Sequence, residues 1–114
     1  MVSGVATCVP PELAERSLLS QDDAGGLART FQVLANDTRL RLLHALAREG
    51  ELSVGDLADA IGMKAQATSN QLKRLIDRRI VASRRHGNRV IYRIDDPCVP
   101  QLLELALCLT GADT

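Results

Sequence analysis

Between Leu52 and Arg93 the apolar residues run twice at helical spacing and then switch to strand alternation, with a turn signal at each change. Ser53 stands as an N-cap with Asp56 three residues on, the capping-box spacing with Asp in place of Glu. Leu57, Ala60 and Ile61 give this first helix an apolar face, and Gly62 supplies its stop. A second helix is predicted over about Ala65 to Arg79, with Leu72, Leu75 and Ile76 inward. Its other side presents Gln66, Thr68, Ser69, Asn70, Gln71, Lys73 and Arg74, side-chain types that read base edges and grip phosphates. Val81–Arg85 and Arg89–Arg93 flank His-Gly-Asn as the strands of a hairpin, with Arg85 and Arg89 placed for phosphate contact. The sum is a winged helix-turn-helix, mainly α with a small β-hairpin wing (α+β), and it implies a double-stranded DNA partner.

Formal net charge is zero, which alone argues against nucleic acid. The distribution reverses that. From Lys64 to Arg93 there are nine basic residues and one acid, Asp77, a local net of +8, and the rest of the chain carries −8. A basic face on an acidic body is an electrostatic footprint for DNA. A merely solvated charged helix predicts interleaved acids, which are missing. With 114 residues there is room for one core, and with Phe31 and Tyr92 as the only aromatics that core must be aliphatic. No apolar run reaches the roughly 18 residues of a membrane span and no secretory signal is visible, so no membrane partner and a cytoplasmic location are expected. Three cysteines, an odd number, speak against a structural disulfide set in that compartment.

The flanks organise dimerisation. Residues 1–10 are expected to be a mobile tail carrying Cys8, and 11–114 a single DNA-binding and dimerisation domain. Short helical pieces are predicted over Glu12–Leu19 and Ala24–Ala35, then a helix over Thr38–Arg48 capped by Asp37. In that helix Leu40, Leu43, Leu46 and Ala47 face inward, Arg39, Arg41 and Arg48 stay wet, and His44 reads as a partly buried structural residue. The last helix, Gln101–Thr110, is apolar nearly all round. A terminal helix of that kind needs more cover than one small chain supplies, so a homodimer through the terminal helices is expected. Two recognition helices then meet two half-sites of a near-palindrome.

Phe31-Gln32-Val33-Leu34-Ala35-Asn36-Asp37-Thr38-Arg39-Leu40-Arg41-Leu42-Leu43, the stretch Glu51–Ala58, Ser69-Asn70-Gln71-Leu72-Lys73-Arg74-Leu75 and the wing end Val90-Ile91-Tyr92-Arg93 resemble the ArsR/SmtB family of metal-sensing repressors. The resemblance covers roughly residues 27–110. It implies a homodimer that represses an operon and releases its operator on binding an inducer. Lys64 stands where the family often has a capping Ser, and Asn70-Gln71 where it often has His. The Cys pair that arsenic- and cadmium-sensing members carry in the first of the two helices is replaced by Ser53 and Gly55, so that sensor site is absent.

Cys8, Cys98 and Cys108 remain as candidate metal ligands. Cys98 and Cys108 are ten residues apart, about 15 Å along a helix, too far to share an ion within one chain. Across antiparallel terminal helices Cys98 can approach Cys108 of a second copy. The family's zinc sensors use this geometry, and Asp96-Pro97-Cys98 takes the place of their Asp-x-His. Thiolates shift preference to soft ions. Hg(II) or As(III) is the expected inducer, ahead of Cd(II) and Pb(II), with Cys8 as a third ligand and no permanently bound cofactor. The plainer reading takes Cys98 and Cys108 as small core residues. A second regulatory reading is a thiol-redox or persulfide switch through the same cysteines. An enzyme is disfavoured: no cysteine has a His neighbour, no glycine-rich phosphate loop appears, and His86 falls in the hairpin turn. A module that binds protein alone leaves the +8 segment without a purpose.

Overall fold

The structure, a computed structural model, describes residues 9–111. Cys8, and with it most of the expected tail, lies outside the described residues. The chain runs as a 3-10 turn (Leu13–Glu15), α1 (Gln21–Leu34), α2 (Asp37–Glu49), β1 (Glu51–Ser53), α3 (Val54–Ile61), α4 (Ala65–Asp77), β2 (Val81–His86), β3 (Arg89–Ile94) and α5 (Cys98–Thr110). This is the expected winged helix-turn-helix, α3 and α4 being its helices and β2–β3 its wing.

Local chemistry accounts for most boundaries. The Ser20 side chain accepts from the Asp23 amide, so α1 starts at Gln21, three residues before the expected Ala24. Asn36, rather than Asp37, caps α2 by accepting from the Arg39 amide at 3.0 Å. Ser53 accepts from the Asp56 amide at 3.1 Å, as the capping-box spacing predicts. Gly62 ends α3 in the left-handed region, where a residue without Cβ is at ease. α5 begins at Cys98, ahead of the expected Gln101, because the Asp96 carboxylate accepts from the Cys98 amide at 2.9 Å. Pro100 is tolerated there because a first-turn amide has no intrahelical partner to lose. The helix expected over Glu12–Leu19 shrinks to the 3-10 turn. Leu13 is 82% and Leu18 97% exposed, so no burial compensates for ordering the segment.

The sheet has one strand more than the sequence pattern suggests. β1 pairs antiparallel with β3, Glu51 opposite Arg93 and Ser53 opposite Ile91, and β3 pairs with β2 in the order β1-β3-β2. The core is aliphatic as expected. Leu42, Leu43 and Leu46 of α2 meet Leu57 and Ile61 of α3, Leu72 and Leu75 of α4, Val81 and Tyr92 of the sheet, and Val99 of α5. Leu102 and Leu103 lie against its edge. Three expectations about which α2 residues are buried are corrected. Arg39 is buried, not wet, His44 is exposed, not partly buried, and Ala47 is exposed, not inward. No helix among the described residues is long and apolar enough to cross a membrane.

Candidate nucleic-acid interface and sensor helix

The second helix of the motif, α4, is built with Leu72 and Leu75 fully buried, which fixes which of its polar residues face outward. Gln66, Asn70 and Lys73 are exposed and Ser69 is half-exposed. Gln66 donates to the Asn70 side chain at 3.2 Å, one helical turn away, so the two amides form a single polar plate. Thr68, expected on this face, is instead fully buried. Its hydroxyl donates back to the Lys64 carbonyl at 3.0 Å, so it is a core residue and not a base reader. Gln71 also departs from expectation. It is half-buried, and its side-chain oxygen accepts from the Arg39 guanidinium at 2.8 Å.

The wing carries its cations unevenly. Arg85 is exposed near the tip, as expected of a phosphate contact. Arg89 is folded back onto α3, donating to Ser53 Oγ at 2.8 Å and pairing with Asp56 at 3.2 Å. Arg84 reaches across β3 to Glu51 at 2.8 Å, and Arg93 pairs with Asp95 at 2.9 Å. These pairs are half-exposed and so contribute little to stability. The Arg84 hydrogen bond holds the Glu51 carboxyl below its ordinary value. The turn is Gly87-Asn88, with Gly87 at φ +66°, so His86 closes β2 and belongs to the strand.

Two further arginines make contacts the sequence did not reveal, Arg39 having been expected in solvent. Arg39 shares the helical phase of Leu43 and Leu46, and that phase was the signal that it turns inward. It donates to the Val33 carbonyl at 2.6 Å as well as to Gln71. Arg78, at the end of α4, donates to Thr30 Oγ1 at 2.9 Å and to the Gly26 carbonyl at 3.3 Å.

On α5, Cys108 is exposed and is the free cysteine among the described residues. Cys98, at the first turn, is half-buried and disulfide-bonded, although the odd cysteine count spoke against a disulfide set. Among the described residues no three His, Cys, Asp or Glu side chains stand together as a ready metal site. Leu105, Leu107 and Leu109 of α5 are exposed, as are Leu27 and Phe31 of α1. Between α2 and α5 runs an open, mainly apolar groove of about 580 Å³, lined in part by Leu40, His44, Leu103 and Leu107.

Comparison with known proteins agrees with this geometry. A profile of the MarR family matches residues 36–88, from the cap of α2 to the wing turn. The HTH-type transcriptional regulator NmtR of Mycobacterium tuberculosis is 42% identical over 89 residues, 78% of this chain and 73% of that protein. The crystal structure of AntR, an antimony-specific transcriptional repressor, superposes with a TM-score of 0.79 at 58% identity, covering 94% of this chain and 96% of that one. The homodimeric winged helix-turn-helix DNA-binding domain of a possible ArsR-family regulator from Mycobacterium bovis superposes with a TM-score of 0.72 at 34% identity, covering 82% and 88%. Other relatives are named for SmtB or for cadmium, mercury or arsenic resistance. The chain thus belongs to the ArsR/SmtB family of metal-sensing winged-helix transcriptional repressors.

Proposed function

We propose that this protein is a homodimeric repressor that holds operator DNA through α4 and the wing and releases it when a trivalent thiophilic metalloid, Sb(III) or As(III), binds cysteine thiolates. The observation that carries the choice of ion is 58% identity, over nearly all of both chains, to a repressor specific for antimony. The donor chemistry supports it. Neither Ser53 nor Gly55 of α3 offers a thiolate, and the Ser53 hydroxyl is engaged with the Asp56 amide and Arg89. The cysteine sulfurs of this chain lie at Cys8, Cys98 and Cys108. Two or three sulfurs suit a pyramidal trivalent ion, or linear Hg(II), better than tetrahedral Zn(II). With Cys98 at one end of α5 and Cys108 near the other, an ion shared by both must join two copies. Cys98 has to be reduced first, since a disulfide sulfur is not a thiolate ligand.

Gln66, Ser69, Asn70 and Lys73 are the side chains assigned to the major groove, and Arg85 and Arg89 to phosphates. For Arg89 this means exchanging Asp56 for a phosphate. Anisotropy of labelled operator DNA with reduced protein tests the whole reading. Sb(III) or As(III) should release the duplex while Zn(II) and Ni(II) leave it bound, and Cys108→Ser should bind DNA normally yet fail to release it. Release by Zn(II) overturns the thiolate site, Hg(II) acting at lower concentration than either metalloid overturns the choice of ion, and release by an oxidant alone makes the cysteines a redox switch.

A further inference from the structure

α1 packs on α2, and its route to α4 runs through side chains. Two arginines make that route. Arg39 Nε donates to the Val33 carbonyl, one of the last-turn carbonyls of α1 that lack an intrahelical amide, and its Nη1 donates to Gln71 in the middle of α4. Seven residues on, about 10 Å along α4, Arg78 donates to Thr30 Oγ1 and the Gly26 carbonyl. The Thr30 hydroxyl in turn donates to the same Gly26 carbonyl at 3.3 Å, so its lone pair is turned to Arg78. The end of α1 is thereby joined to the middle of α4, and the middle of α1 to the end of α4.

We infer that Arg39 and Arg78 are positioning residues that set the pose of the DNA-reading helix against α1, and that Gln71 serves as the receiver of one tether and not as a base reader. Fixed planar guanidinium donors suit this task, because each reaches two acceptors at once and thereby fixes direction as well as distance. The consequence is specific. α1 carries Leu27 and Phe31 on its outer face, so an element available to a second copy is linked, by polar contacts of defined geometry, to the element that reads DNA. The inference deepens the repressor reading and rests on its assignment of α4 to DNA, but not on the identity of the inducing ion.

The test uses reduced, ion-free protein, with anisotropy on operator and on a scrambled duplex across a salt series, and an unfolding midpoint for every variant. Thr30→Val and Arg78→Ala should each reduce the preference for operator over scrambled DNA by about fivefold, and the double variant should be no worse than the poorer single one. Thr30→Ser, which keeps the hydroxyl, should behave as the parent. Gln71→Ala should lower operator affinity without changing which base substitutions are tolerated, and Arg39→Lys should add nothing to it. If Thr30→Val matches the parent while Arg78→Ala weakens both duplexes equally and flattens the salt dependence, Arg78 is a phosphate contact and the tether is refuted. A relaxed base preference in Gln71→Ala refutes the second tether. Because no ion is present, failure of the metalloid reading leaves these outcomes unaffected, and the converse also holds.

Discussion

Arg79 holds φ at +59°, in the left-handed region, just beyond the end of α4. Glycine usually occupies such a position, because any Cβ there crowds the neighbouring carbonyl. The conformation is enforced by its surroundings: the Arg79 amide donates to the Ile76 carbonyl and the Ile80 amide to Leu75, which turns the chain sharply into β2. Arg79→Gly should therefore stabilise the fold by about 1 kcal/mol in urea unfolding. The same change removes a cation from the basic face and should weaken binding to any duplex. At this scale the sequence was legible wherever polarity and phase agreed. Thr68 and Arg39 were misjudged because polarity was read before phase. Thr68 lies on the stripe of Leu72 and Leu75, and Arg39 on that of Leu43 and Leu46, so spacing alone marks both as inward. A hydroxyl that satisfies itself on the preceding turn, and a guanidinium that finds two acceptors, can occupy such places at little cost.

Among the elements, α3, α4 and the two wing strands were readable because each is long enough to show its own period and is bracketed by a cap or a turn. β1 was not. Glu51-Leu52-Ser53 is too short to alternate, and it is a strand only because β3, some forty residues away, supplies its hydrogen-bond partners. Arg84 strengthens that arrangement by reaching over β3 to Glu51, tying the two outer strands together. The hydrogen bond from Arg84 depresses the Glu51 pKa, so the contribution of this pair is present above the ordinary carboxylate range and is lost as pH falls through the depressed value. Denaturant unfolding of the parent and of Glu51→Gln should differ slightly at neutral pH, and the difference should vanish on strong acidification. A difference that grows with acid contradicts the pairing.

For the whole molecule, the expected greasy terminal helix is present, and its apolar residues divide into two sets. Val99, Leu102 and Leu103 lie on the core, while Leu105, Leu107 and Leu109 are left uncovered, as are Leu27 and Phe31 of α1. A second copy is the natural cover for this surface. Leu109 is 87% exposed, so Leu109→Asp should leave the fold intact while shifting sedimentation to the monomer. Operator affinity should then fall by at least about tenfold as the two-half-site advantage disappears. A dimeric Leu109→Asp protein places the interface elsewhere. What no periodicity could show is the pairing state of the cysteines, because Cys98 and Cys108 belong to opposite ends of one helix and the disulfide of Cys98 depends on how the chain folds.

That arrangement has a consequence for how such a protein changes over generations. The core closes without any of the described cysteines: Cys108 is exposed, and Cys98 lies at the mouth of α5 rather than among the leucines. Exposed Cys108 can be exchanged for another donor without disturbing the packing or the reading helix, whereas exchanging Cys98 breaks its disulfide. On the metalloid reading proposed above, the responding ion can change at an exposed donor while the DNA-reading scaffold stays as it is, a division of labour that lets one fold be retuned from one toxic element to the next.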